Sequence, residues 1–236
     1  LIVSLTNVTA EYPHFKSAVL SNVSLEVNKG GFCVVQGATG CGKSTLMKVL
    51  SGELEASSGS IQIAGFDLHP AGKRKQIPSR ILSRYRQTVG FVFQDFKLLQ
   101  DKTIFENIVF ALEMMPRMSR HDFVNRAERT LERLELTGIR NAFPREVSHG
   151  EQAHAAIARA VVREPFVLVA DEPTAQLDAA SSLDILNLLR AEHRRGMTIM
   201  LLTSCNTFAI PEADWYDLVS GELRSRASAT LNTSAS

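Results

Sequence analysis

The sequence predicts an α/β protein built on a parallel sheet, with an antiparallel β unit ahead of it and a helical segment inserted into it. Three observations carry this. Short apolar runs, FCVVQ at 32–36, FVLVA at 166–170 and MTIMLLT at 197–203, have the length and continuity of strands buried on both faces. Helical patterns separate these runs, which is the alternation of a parallel sheet. The first thirty residues instead place short apolar stretches (Ile2-Val3, Val8, Leu20, Val23, Leu25, Val27) between Asn, Pro and Gly, as an antiparallel meander does.

After the meander, FCVVQ ends in the glycine-rich GATGCGKST, and LMKVLSG beyond it has helical spacing and a glycine stop. That order reads strand, loop, helix. From about 97 to 163 the chain is rich in helix formers and periodic in Leu, Ala and Arg, and reads as an inserted helical subdomain. The strand FVLVA then ends in Asp171-Glu172, and a helix bounded by Gly196 leads into MTIMLLT. One domain is expected over 1–223, with a small, polar, disordered tail over 224–236.

Composition bounds the function. A chain of 236 residues, 44% hydrophobic and 22% charged, buries a core without disulfides or structural metals. With 26 Lys+Arg against 25 Asp+Glu, for a net charge of +1, the balance argues against binding nucleic acid through bulk charge and leaves room for a local basic patch; no nucleic-acid partner is expected. No apolar run approaches the roughly 20 residues that span a bilayer. The start, LIVSLTNVTAEYP, lacks the basic region and cleavage site of a signal peptide, and three scattered cysteines, Cys33, Cys41 and Cys205, suit a reducing compartment. A cytoplasmic chain is the expectation.

The sharpest motif is Gly37-Ala38-Thr39-Gly40-Cys41-Gly42-Lys43-Ser44, a GxxxxGK[ST] phosphate loop set between a strand and a helix as the motif requires. Its glycines let backbone N–H groups surround a β-phosphate, the helix N-terminus adds partial positive charge, Lys43 reaches the β- and γ-phosphates, and Ser44 offers a hydroxyl to Mg²⁺. Asp171, ending a buried strand, supplies a rigid Mg²⁺ carboxylate. Glu172 lies on the other side of the strand end, where it can polarise a water as general base. A solvated strand terminus is the plainer alternative for this pair. No NKxD guanine-reading motif occurs, which disfavours a GTPase, and the six histidines show no ligand spacing that implies another metal.

From about Ile2 to Leu223, the chain resembles the ATP-binding subunits of ABC transporters, whose fold is a phosphate-loop NTPase with a RecA-like parallel core, an N-terminal β-subdomain and an inserted α-helical subdomain. Tyr12, 25 positions before Gly37, stands where the family stacks an aromatic on adenine, although a strand aromatic covering a sheet edge is an alternative. Gln94 in FVFQDFKLL resembles the Q-loop glutamine, which touches Mg²⁺ and senses the membrane partner. Ser148-His149-Gly150-Glu151-Gln152 followed by AIARA resembles the signature, and Ala175-Gln176-Leu177-Asp178 stands at the D-loop. FVFQDFKLLQDKTIFENI, GEQ and IARAVVREP are most similar to the cell-division branch of the family, with the lipoprotein-releasing and MacB-type branches near it.

The resemblance implies two ATP molecules held between two subunits. Each would be bound by Gly37 to Thr45 of one chain and by Ser148 and Gly150 of the other. It also implies a permease-like integral-membrane partner, and a location on the inner face of the cell membrane. Three departures matter. His149 occupies the first glycine of the usual LSGGQ-type signature, where a Cβ can meet the opposing nucleotide or restrict φ. Ala153 and His154 follow where Gln and Arg are common. Ser204 takes the place of the histidine that binds the γ-phosphate; it is shorter by roughly 3 Å and cannot carry charge near neutral pH. These residues imply ATP binding with slowed hydrolysis or, as the alternative, a regulatory clamp that binds ATP with little turnover.

Two further features leave more than one reading. Lys73, Arg74, Lys75, Arg80, Arg84 and Arg86 form a run with no acid between Asp67 and Asp95, either a solvated helix face or a contact for anionic lipid or an acidic loop. Phe96, Leu98, Leu99, Phe105, Ile108, Phe110, Leu112, Met114 and Met115 divide between core and a groove for a partner helix.

Overall fold

The computed structural model describes residues 1–12, 18–69, 77–113, 115, 119–205 and 210–226. Strands β1 (Val3–Ala10) and β2 (Leu20–Val27) pair antiparallel with Leu5 opposite Leu25 and Val8 opposite Val23, so their apolar residues share one buried face. β3 (Phe32–Gln36) is buried throughout and leads through the glycine-rich loop into α1 (Lys43–Leu50). The first sheet is completed from beyond that helix, by β4 (Ser58–Ile63) on the free edge of β1 and β5 (Phe66–His69) on β4. The meander is therefore not local to the first thirty residues.

α2 (Ser79–Thr88) turns Tyr85 fully inward, where its hydroxyl donates to Leu50 O. It runs directly into β6 (Val89–Val92). Then come α3 (Ile104–Glu113), α4 (Arg120–Arg133) and α5 (His149–Val161). Ser119 with Asp122, and Ser148 with Glu151, form reciprocal caps that start α4 and α5. β7 (Val167–Asp171), α6 (Ala179–Arg194), β8 (Thr198–Thr203), β9 (Ala213–Val219) and β10 (Glu222–Ser225) complete the chain.

The second sheet runs β10-β9-β3-β8-β7-β6, parallel from β9 to β6 and closed at one edge by the antiparallel β9–β10 pair. Alternation along β3 divides the core between its faces. Cys33 and Val35 pack with α1 and the first sheet, while Phe32 and Val34 pack with the cluster that includes α3, α5 and α6. The helices of 104–161 thus share one apolar cluster with the sheet. Polar ties reinforce them: Arg126 Nε donates to Val162 O at 2.6 Å, and Arg133 of α4 pairs with the buried Glu192 of α6.

Two registers position the site. Gln36 lies opposite Thr203, and Asp171 opposite Leu202, so β3, β7 and β8 end together, where ligands bind in open α/β sheets. At the chain's end, pairing continues through Ser225 opposite Tyr216, and Arg226 Nη2 bonds Asp217 Oδ1 at 2.5 Å and Gln36 Oε1 at 2.9 Å. Order therefore reaches past 224, and 227–236 lie outside the described residues.

Asn107, fully buried on α3, holds the loop before that helix: it accepts from Leu99 N at 2.8 Å and donates to the carbonyls of Leu99, Lys102 and Thr103. Asn107→Ala removes these bonds, taking from the part-buried Leu99 N and Lys102 O the partner they have here, and is expected to cost about 3 kcal/mol, read as a lower urea midpoint. Asn107→Asp, which cannot donate, should not restore it.

Candidate active site

The phosphate loop is shaped by close approach. A Cβ on Gly37 would fall 2.4 Å from Leu218 O and 2.5 Å from Cys41 Sγ, while Gly42, at φ +116°, would meet a Leu20 methyl at 2.9 Å. Gly42 caps α1 with no side-chain hydrogen bond, and no acid stands in the first turn. The first-turn N–H groups are thus left for an anion. Lys43, only 5% exposed, curls back over the loop: Nζ donates to Gly37 O at 2.6 Å and Ala38 O at 3.0 Å, and pairs with Glu172 Oε1 at 3.3 Å.

Asp171 and Glu172 are both buried at the end of β7. Burial pushes the Asp171 carboxyl up, a hydrogen bond from Ser44 opposes this, Glu172 adds to the rise and Lys43 offsets it. Its Oδ1 is buried without a hydrogen-bond partner among the described residues. Glu172, at φ +49°, turns off the strand axis with its N–H bonded to Leu202 O at 2.8 Å. While Oε1 faces Lys43, Oε2 accepts from Ser204 Oγ at 3.1 Å. Lys43, Glu172 and Ser204 therefore form one continuous chain across the ends of α1, β7 and β8.

Gln94, exposed just past β6, lines a cleft of about 510 Å³ with Ser44, Asp171, Lys48, His149 and Gln176. The structure thus brings together Ser44, Gln94 and Asp171. Tyr12 places its hydroxyl 3.3 Å from Thr45 Oγ1, with Lys48 Nζ 5.4 Å from its ring centroid. It stands beside the first turns of α1. Gly37, Ala38, Thr39, Gly40 and Cys41 line a second cleft with Ser204, Asp217 and Arg226.

Ser148 is exposed at the N-terminus of α5, where Oγ and Glu151 bond reciprocally. This hydrogen bonding holds the Glu151 carboxyl below its ordinary pKa. His149 is the first residue of α5 and is absent from the positive-φ positions, so the backbone here makes no demand for glycine. The expected restriction of φ by a Cβ does not arise. Instead its ring packs on Phe96, with centroids 4.8 Å apart. A Cβ on Gly150 would make ordinary contact with Ser181 at 3.4 Å.

Of the basic run, Arg80 and Arg84 are exposed on α2. Arg86 donates to Ser51 O from Nε and Nη2, both at 3.2 Å, and so anchors α2 to the end of α1. Lys73, Arg74 and Lys75 lie outside the described residues, as does Met114. Phe96, Leu98, Ile108 and Leu112 are core, and Phe105 and Met115 are partly buried against it. Phe110 stays 42% exposed over a groove shared with Leu82, Phe91, Phe93, Arg159 and Arg163. Arg163 Nε has no partner among the described residues.

Sequence reasoning did not single out Arg159, Asn107 or Arg226. Arg159 Nη1 and Nη2 donate to the carbonyls of Lys97 and Phe96, each at 2.6 Å. Arg159 and Asn107 bond to backbone carbonyls and N–H groups, which leaves no charge pattern to read. Arg226 pairs with Asp217 only because β9 and β10 form a hairpin.

A phosphate loop facing a buried acid pair at the ends of a parallel sheet, with a capped helix carried beyond a glutamine loop, defines a nucleotide-hydrolysing cassette. The chain belongs to the ABC transporter family, whose profile matches residues 20–175, and is an ATP-binding, ATP-hydrolysing subunit of that family. Among curated relatives it is 38% identical over 204 residues to the cell division ATP-binding protein FtsE of Mycobacterium tuberculosis, covering 86% of this chain and 85% of that one. Against FtsE of Streptococcus pneumoniae serotype 2 it is 40% identical over 205 residues, covering 86% and 84%. The methionine import ATP-binding protein MetN of Haemophilus influenzae is 37% identical, but only 57% of it is covered, against 86% of this chain. Among solved structures, a dimeric post-hydrolysis state of the ATP-binding cassette MJ0796 bound to ADP and Pi superposes with TM-score 0.84 at 28% identity, over 95% of this chain and 97% of that one.

Because its folded pKa is raised, Asp171 binds its proton more tightly in the folded chain than in the unfolded one. Its charge therefore opposes folding above the folded pKa, and the opposition fades as pH falls through that value. Asp171→Asn is expected to raise the nucleotide-free melting midpoint at pH 8 by about 2–4 °C, with the gain shrinking as pH is lowered through the folded pKa of Asp171. The same substitution should abolish the Mg²⁺ dependence of ATP binding.

Proposed function

We propose that this chain binds MgATP at the interface of a dimer and thereby drives an integral-membrane partner of the FtsX-like or LolC/E-like kind, with hydrolysis slowed by Ser204 and His149. The chain would act at the inner face of the cell membrane; no helix among the described residues is long and apolar enough to cross one. The observation that carries the slowed turnover is the 3.1 Å bond from Ser204 Oγ to Glu172 Oε2. It commits the residue at the γ-phosphate-sensing position to the general base.

In this reading Gly37 to Thr45 wrap the phosphates with backbone N–H groups, and Tyr12 stacks on the base. Lys43 exchanges Glu172 and the loop carbonyls for the β- and γ-phosphate oxygens. Ser148 and Gly150 at the N-terminus of α5 are presented to the nucleotide of the other subunit. The orphaned, buried Oδ1 of Asp171 beside Ser44 and Gln94 fits a hard cation that takes oxygen ligands. Ser44, Gln94 and Asp171 would hold Mg²⁺ there, which would supply charge neutralisation for the phosphates. Once Lys43 has left it, Glu172 is free to take the proton of an attacking water. Ser204 donates a hydrogen bond to that carboxylate, which lowers its basicity and leaves the γ-phosphate without a direct partner from β8.

The second reading, a regulatory clamp with little or no hydrolysis, rests on the same Ser204 and His149. The intact pair of Glu172 and Lys43 favours a working, slow enzyme. The groove bearing Phe110 and Arg163, whose Nε has no partner among the described residues, suits a short amphipathic helix of the membrane subunit.

Steady-state ATPase of the purified chain beside Ser204→His separates these readings. Slow wild-type turnover, with a gain on the order of 10²-fold for Ser204→His, is expected; brisk turnover that the substitution leaves unimproved would contradict slowed hydrolysis. Phe110→Asp should abolish co-purification with the membrane subunit while MgATP affinity stays within about twofold, since the residue lies in the groove and away from the phosphate loop.

A further inference from the structure

Helix α5 grips the loop after Gln94 at two points. At its first turn the imidazole of His149 lies on Phe96, with ring centroids 4.8 Å apart and planes inclined by 45°. Nearly three turns later, Arg159 reaches the same loop and donates one hydrogen bond to Phe96 O and one to Lys97 O, each at 2.6 Å. The loop between these grips is strained. Phe96 and Lys97 hold φ of +55° and +47°, a left-handed conformation that side chains other than glycine adopt only where the surroundings over-determine it. Phe96 is 2% exposed, so its ring cannot relax without opening the loop.

We propose that His149 is a positioning residue that locks the Gln94 loop to the signature end of α5, so that the two move as one body. The two grips differ in kind. Arg159 holds carbonyls through a long, flexible side chain and acts as a pivot, whereas the His149 ring, on a short stem at the start of a capped helix, fixes the rotation about that pivot. Glycine at 149 would offer the Phe96 ring no contact, and the loop could then swing while Ser148 stayed still. With His149 present, a displacement of Gln94 within the cleft it shares with Ser44, Asp171 and His149 is passed to Ser148 without slack. This rests on the reading of Ser148 as the group offered to the partner's nucleotide. The lock itself is a property of the single nucleotide-free chain.

Amide hydrogen exchange of the full nucleotide-free chain tests it, comparing wild type with His149→Ala, which keeps helix propensity but loses the ring, and His149→Phe, which keeps a ring. His149→Ala should speed exchange of the amides of 96–98 by about three- to tenfold, with β3 and β8 unchanged, and His149→Phe should restore wild-type protection. Unchanged loop exchange in His149→Ala would overturn the proposal. So would a His149→Phe chain that exchanges like His149→Ala. Because no nucleotide is present, a failure here leaves the ATPase reading intact, and a failure of that reading leaves this result standing.

Discussion

The buried pairing of Lys43 with Glu172 is the interaction on which the site's behaviour depends. Two charges at 3.3 Å, exposed by 5% and 9% of their side chains, have lost most of their water, and their attraction roughly offsets that loss rather than adding stability. The pair persists because both residues are placed by structure that is stable for other reasons. Lys43 stands at the first turn of a helix whose apolar face fills the core, and Glu172 directly follows a strand buried over its whole length. The arrangement is therefore poised. In the proposed mechanism a triphosphate would offer Lys43 a denser negative charge, and the carboxylate released by that exchange is the proposed acceptor of the water's proton.

This poise explains why the surrounding residues matter out of proportion to their size. Asp171, two carbons shorter than a ligand-seeking lysine and unable to move, keeps one oxygen without a partner. Ser204 holds the remaining oxygen of Glu172, which steadies the carboxylate and withdraws electron density from it. A histidine at that position could reach outward to the phosphate. The serine instead reaches inward to the acid, so the substitution changes the direction of the contact as well as its length.

Much of this was legible in the sequence because it is local. The phosphate loop, the acid pair and the strands carrying them are contiguous motifs in which backbone geometry follows from glycine placement and from uninterrupted apolar runs. The first sheet was only half legible: β1 and β2 alternate visibly, but their partner β4 arrives from beyond α1, and nothing in a local pattern announces that crossing. β9 and β10 escaped notice because β9, ADWYDLV, mixes acids with aromatics and β10 is a short, largely exposed edge strand. The contacts that give the site its character were hidden for the same reason. Ser204 meets Glu172 across 32 positions, and Arg159 meets Lys97 across 62. At His149 the sequence suggests that a Cβ restricts φ or meets the opposing nucleotide; the position is helical, so φ is not restricted, and the ring packs on Phe96.

Displacement of Glu172 from Lys43 by nucleotide phosphate is measured by the affinity of MgADP for wild type and for Glu172→Gln. ADP reaches Lys43 through its β-phosphate and is not hydrolysed, so the comparison is an equilibrium one. Binding to Glu172→Gln is expected to be tighter by about three- to tenfold, because the competing carboxylate is gone. Equal or weaker binding would show that Lys43 is not held back by Glu172.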